Sequence, residues 1–157
     1  MNNKPEQGGF SLIELLIVIV VIILLGTISV IALNNQRAKA RDAQRISDIR
    51  EIRTALELYR SDSGEYPIVA NPIILGAKDF EKLCTKAQGG FVSDQATCEA
   101  NSIYMSFIPQ DPLPGGKYIY TGTAEEFDLI FTTEKASSLG LATTYHAHSQ
   151  TIESPGK

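Results

Sequence analysis

Residues 9–25 read GFSLIELLIVIVVIILL, from Gly9 to Leu25, and this stretch decides the fold. Residues 15–25 are eleven apolar positions without a break, and the apolar character continues through Gly26, Thr27 and Ser29 to Leu33. As a helix rising about 1.5 Å per residue, positions 15–33 extend about 28 Å. That length matches the roughly 30 Å hydrocarbon layer of a bilayer, so a membrane span is favoured over the buried helix of a soluble protein. One residue is out of place. Glu14 sits at the N-terminal edge of the apolar run. A carboxylate at the centre of a span costs about 2.5–3.5 kcal/mol and less near an end, so an ionisable residue here is a functional candidate. The plainer alternative is a carboxylate that reaches the headgroup layer.

Upstream, residues 1–9 (MNNKPEQGG) are polar, short and end in glycine. A secretory signal places its apolar core before the cleavage site. Here the candidate cut at Gly8-Gly9 precedes the core, so the core stays with the mature chain. Charge counting argues differently about orientation. Only Lys4 precedes the span, whereas Arg37, Lys39, Arg41 and Arg45 follow it. Basic residues are usually retained in the cytoplasm. The junction before Phe10 is the more specific signal and places the rest of the chain on the far side.

Downstream, Ile46, Ile49, Ile52, Leu56 and Tyr59 recur at spacings of three and four, with Ala43 and Ala55 beside them. Charged residues fill the other faces. Asp48 follows Arg45 by three positions and Glu57 follows Arg53 by four, spacings that allow weak ion pairs along a helix. Ser61-Asp62-Ser63-Gly64 and then Pro67 mark a stop. No proline lies between Pro5 and Pro67, so one helix of about 52 residues, 10–61, is allowed. Its first half suits lipid and its second half can cover one face of a small domain.

Beyond the helix the chain is loop-rich. Asn71-Pro72, Gly76, Gly89-Gly90 and residues 111–116 (DPLPGG) read as turns, and residues 77–87 as a short helix. Residues 117–121 (KYIYT) alternate, with Tyr118 and Tyr120 on one face. After a turn at 122–125, residues 127–132 (FDLIFT) complete a hairpin, and a third strand is expected within 141–149. The organisation expected is a leader over 1–9, a membrane and assembly helix over 10–33, an amphipathic helix over 34–62, a loop-rich β domain over 63–150 and a flexible tail over 151–157. The fold class is α+β, a long N-terminal helix packed on a small antiparallel sheet of about three strands.

The net charge of −4 is unevenly distributed. Residues 37–60 carry a net +3, and the chain from Ser61 onward carries a net −6. A basic stem and an acidic head can attract each other between neighbouring subunits, or they can simply be a solvated helix face and a soluble acidic domain. Direct nucleic-acid binding is disfavoured, because such domains usually carry a basic excess. The two cysteines, Cys84 and Cys98, have neither redox-pair nor zinc-ligand spacing. In an exported head they can form one disulfide closing a loop of about 15 residues, worth about 3 kcal/mol in the chain-entropy model. In a reducing compartment they are two unrelated thiols.

The segment Gly9-Phe10-Ser11-Leu12-Ile13-Glu14-Leu15 resembles the processing motif of type IV prepilins and of the pseudopilins of type II secretion. The resemblance implies that a prepilin peptidase cuts after Gly9 and that Phe10 becomes the methylated first residue. It also makes Glu14 the filament-assembly residue. A positive amine on Phe10 could then meet Glu14 of a neighbouring helix, which would fix the axial register between subunits. Residues 55–59 (ALELY) with 64–67 (GEYP), and Asp111-Pro112 with Gly115-Gly116-Lys117-Tyr118, resemble the helix end and strand entry of major pseudopilins. The implied function is a structural subunit of a pilus or pseudopilus in type II secretion, type IV pilus function or DNA uptake. The implied partners are further copies in a helical filament, minor pilins or pseudopilins, the prepilin peptidase, an inner-membrane assembly platform and membrane lipid. The implied location is the inner membrane, crossed once, with the head outside the cytoplasm.

The chain also departs from that family. No proline interrupts the second half of the apolar segment, so any melting there would use Gly26, Thr27 and Ser29. Major pseudopilins bind calcium in an Asp-rich loop near the C-terminus. Nothing similar follows Thr132, so neither calcium nor any other cofactor is expected.

Catalysis is not expected either. His146 and His148 are two apart and would share one face of a strand, yet no third metal ligand is evident. Glu125, Glu126 and Asp128 read as a solvated hairpin tip. No nucleophile–base constellation or phosphate-binding loop is present. The alternative to a filament subunit is a membrane-anchored monomeric periplasmic binding module.

Overall fold

The computed structural model describes residues 11–99 and 102–154. These fall into two compact units divided between Arg37 and Ala38. Helix α1, Leu12–Ser63, is 52 residues long and contributes to both. Its continuity follows from the absence of proline, which would remove a backbone donor and clash with the preceding turn. It stops where Gly64 takes a left-handed conformation (φ 79°), with the Gly64 N–H on the Arg60 carbonyl at 2.8 Å. Glycine adopts that conformation without the Cβ penalty. The Ser63 hydroxyl closes the end by donating to the carbonyls of Tyr59 and Glu65.

In the first unit every described large apolar side chain from Leu12 to Leu33 is exposed, from 46% at Val21 to 82% at Leu12. An apolar helix with no covered face is suited to lipid or to other helices. The Thr27 and Ser29 hydroxyls donate back to the carbonyls of Leu24 and Leu25, both at 2.8 Å, so neither needs an outside partner.

In the second unit the expected helical stripe is the core face. Ile49, Ile52, Ala55, Leu56 and Tyr59 are all buried, and Ile46 with them; Ala43 is exposed. They meet a five-stranded antiparallel sheet ordered β1-β5-β6-β7-β8: β1 Ile73–Ile74, β5 Ile119–Gly122, β6 Phe127–Thr132, β7 Thr144–Ala147 and β8 Ile152–Glu153. Strand alternation puts Phe127, Leu129 and Phe131 of β6 on one face, with Tyr120 opposite Leu129 and Tyr145 opposite Phe131. That face packs on the helix stripe as one cluster. A second sheet, β3-β2-β4, comprises Lys82–Cys84 (β2), Phe91–Val92 (β3) and Ile103–Met105 (β4).

The β portion therefore exceeds the expected three strands. The hairpin and the strand within 141–149 stand where the alternation placed them. The helix expected over 77–87 does not form: Lys82–Cys84 is a strand held on both sides, followed by a 3-10 turn at Lys86–Gln88. Within the expected tail, Ile152–Glu153 pairs with β7 and His148 N–H reaches the Thr151 carbonyl at 2.8 Å, so these residues are held to the sheet; residues 155–157 lie outside the described residues.

Candidate assembly surface and the ionic clasp of the head

Glu14 lies in the first turn of α1, exposed, among apolar neighbours that are also exposed. A carboxylate at this end is favoured by the unpaired N–H groups of a helix N-terminus. Glu14 is the only acidic side chain on α1 before Asp42, and no other charged residue lies on the helix before Arg37. Gly9 and Phe10 lie outside the described residues.

Most charged residues of the second half of α1, among them Lys39, Arg50, Glu51, Glu57 and Arg60, are exposed as their spacing suggested, but Asp42, Arg45 and Asp48 are buried. Asp42 and Arg45 are 1% and 2% exposed. The Arg45 guanidinium donates from Nε and Nη2 to both oxygens of Asp111 at 2.8 Å, and from Nη1 to Asp42 at 2.6 Å and Glu134 at 2.9 Å. Arg41 adds a fork onto Glu134 at 2.7 and 2.6 Å. Asp42 in turn accepts the backbone N–H groups of Glu134 and Lys135, and Asp111 accepts that of Leu113. Gly116 leaves room for this arrangement: a Cβ there would collide with the Asp111 carboxyl.

The electrostatics follow the geometry. Hydrogen bonds from Arg41, then from Arg45, hold the Glu134 carboxyl down at about 2. The Arg45 guanidinium is raised by its hydrogen bonds, that to Asp111 foremost. Asp48 is also buried and takes the Tyr118 hydroxyl at 2.7 Å; burial raises its carboxyl above the ordinary range. The expected helix-surface pairs are replaced: Arg45 pairs with Asp42 rather than Asp48, Glu57 accepts from Tyr66, and Arg53 donates to the Ser149 carbonyl.

Cys84 and Cys98 are joined by a disulfide, with Cα atoms 6.3 Å apart. His146 places Nδ1 2.7 Å from Asp128, and His148 Nδ1 lies 3.1 Å from the Phe127 carbonyl. Asp128 therefore belongs with the histidines rather than with a solvated acidic tip. Among the described residues no group of three or more histidine, cysteine or acidic side chains is placed to hold a metal ion. The carboxylates that do converge are filled by two guanidinium groups and backbone amides. Sequence reasoning missed this clasp because its partners lie 66 and 89 residues apart in the chain. The one available signal was a charged residue, Arg45, adjoining the apolar stripe.

A family model described as type II secretion system, protein G, matches residues 31–143, and one described as the prokaryotic N-terminal methylation motif matches residues 4–32. Among curated proteins, the type II secretion system core protein G of Klebsiella michiganensis is 30% identical over 74% of this chain and 74% of its own. The proteins of the same name from Vibrio cholerae and Pseudomonas aeruginosa are 27% and 28% identical, over 84% and 81% of this chain and 83% of each of theirs. No solved structure matches the chain.

Proposed function

Because the chain belongs to the type II secretion system protein G family, we propose that Gly9, Phe10 and Glu14 carry its processing and its assembly. The chain is a structural subunit of a pseudopilus, and the family is one of filament subunits rather than enzymes. It is membrane-anchored through its long apolar helix and assembles with other pseudopilins.

A prepilin peptidase cuts between Gly9 and Phe10, the amine of Phe10 is methylated, and the stored subunit crosses the inner membrane once with its head on the periplasmic side. The disulfide supports that side for the head, since such bonds persist in oxidising compartments. An inner-membrane platform then draws subunits into a helical filament, with minor pseudopilins as further partners. The observation that carries the reading is an uncovered apolar helix with one carboxylate in its first turn. During assembly, apolar helix faces leave lipid for one another, and the Phe10 amine of one subunit pairs with Glu14 of the next. In a low-dielectric setting either charge alone is costly and the pair sets the axial register.

A plain membrane anchor needs no carboxylate at this position. Glu14→Ala should therefore leave the subunit in the membrane at its normal level and abolish filaments seen by electron microscopy. Filaments at the normal level would remove the main support for the reading and favour a monomeric anchored module.

A further inference from the structure

Carboxylates gathered at one buried point need a cation, and in many folds a metal supplies it. In this head three carboxylates from three separate segments converge: Asp42 from α1, Asp111 from the β4–β5 connection and Glu134 from the β6–β7 connection. The cation at their centre is the Arg45 side chain, 2% exposed, with its Nε, Nη1 and Nη2 all engaged. The calcium implied by the family resemblance does not fit these residues. The oxygens that would ligate it are already taken up by guanidinium and backbone N–H groups.

We propose that Arg45 is a built-in cation that positions the β4–β5 and β6–β7 connections on the helix, so that the head keeps both connections in place without a divalent metal. The planar fork matters as well as the charge. Two parallel N–H groups match the two oxygens of Asp111, an arrangement that a lysine ammonium, a point charge, does not reproduce. Two of the three carboxylates also hold backbone amides, Asp111 that of Leu113 and Asp42 those of Glu134 and Lys135. Loss of the cation is thereby transmitted to the loops.

The test uses the full-length chain in detergent micelles, with two readouts: the thermal midpoint of the head and amide exchange at Leu113 and Lys135. The wild-type chain should give the same midpoint in a chelator and in millimolar calcium; a midpoint that rises with calcium would overturn the proposal. Arg45→Met keeps most of the bulk and removes the charge. It should lower the midpoint by more than about 10 °C, since an uncompensated buried charge is strongly destabilising, and both amides should exchange faster. Arg45→Lys should fall between wild type and Arg45→Met in both readouts. Lys and Met variants that both keep the wild-type midpoint and amide exchange would show that bulk rather than the charged fork holds the loops, and would overturn the proposal. If Arg45→Met does not fold, the chelator comparison and the Lys variant still decide.

Discussion

Replacing Tyr118 by phenylalanine removes one oxygen from the centre of the head. Tyr118 is fully buried, and its hydroxyl donates at 2.7 Å to Asp48, itself 7% exposed. No other side chain or backbone group among the described residues donates to that carboxylate. The variant keeps the ring packing and leaves a buried anion short of a charge-assisted hydrogen bond, a loss of about 1.5–3 kcal/mol. For a domain of this size that corresponds to a midpoint lower by about 5–15 °C. The loss should depend on pH with a definite sign. Burial raises the Asp48 carboxyl in the folded state, so the native head takes up a proton there before the unfolded chain does. The cost of Tyr118→Phe should thus be largest at neutral pH and shrink as pH falls toward the ordinary carboxylate range. Asp48→Asn removes the charge, and in that background Tyr118→Phe should cost less by about 1 kcal/mol, the coupling expected of groups in direct contact. Thermal unfolding by circular dichroism at two pH values, on four proteins, measures all of this. A Tyr118→Phe midpoint within a degree of wild type at neutral pH would refute the reasoning.

Two further outcomes follow from the head. Reducing the Cys84–Cys98 disulfide, or replacing both cysteines by serine, should cost about 3 kcal/mol, read as a lower denaturant midpoint. Glu134 is held near about 2 by Arg41 and Arg45, against 4.5 ordinarily, so its contribution to stability is present above pH 4.5 and is lost as pH falls from 4.5 toward 2. Glu134→Gln should remove that part of the acid sensitivity, a difference visible in paired acid titrations of the two proteins.

The sequence carried the parts of the fold that depend on local pattern. Ile49, Ile52, Leu56 and Tyr59 recur at helical spacing, and all four are buried. Residues 127–132 alternate and form β6 over those same positions. What escaped depends on pairing at a distance. Residues 77–87 carry charges and alanines that suit a helix, yet Leu83 sits between Phe91 and Met105, and strand pairing on both sides overrides local propensity. Asp42, Arg45 and Asp48 look like a wetted helix face until loops from elsewhere cover them. Glu14 is the opposite case: one charge against an apolar run was conspicuous in the sequence, and its place in the first turn of an uncovered helix gives that reading a physical setting. The choice between secretion and other pilin systems was not legible in single residues; it came from similarity spread over residues 31–143.

The central claim is that this helix is a processed assembly element and not an anchor alone. Intact-mass measurement of the subunit extracted from membranes of cells containing a prepilin peptidase tests it most directly. The account predicts a chain beginning at Phe10 and heavier by one methyl group. A mass corresponding to a chain that still begins at Met1 would contradict it.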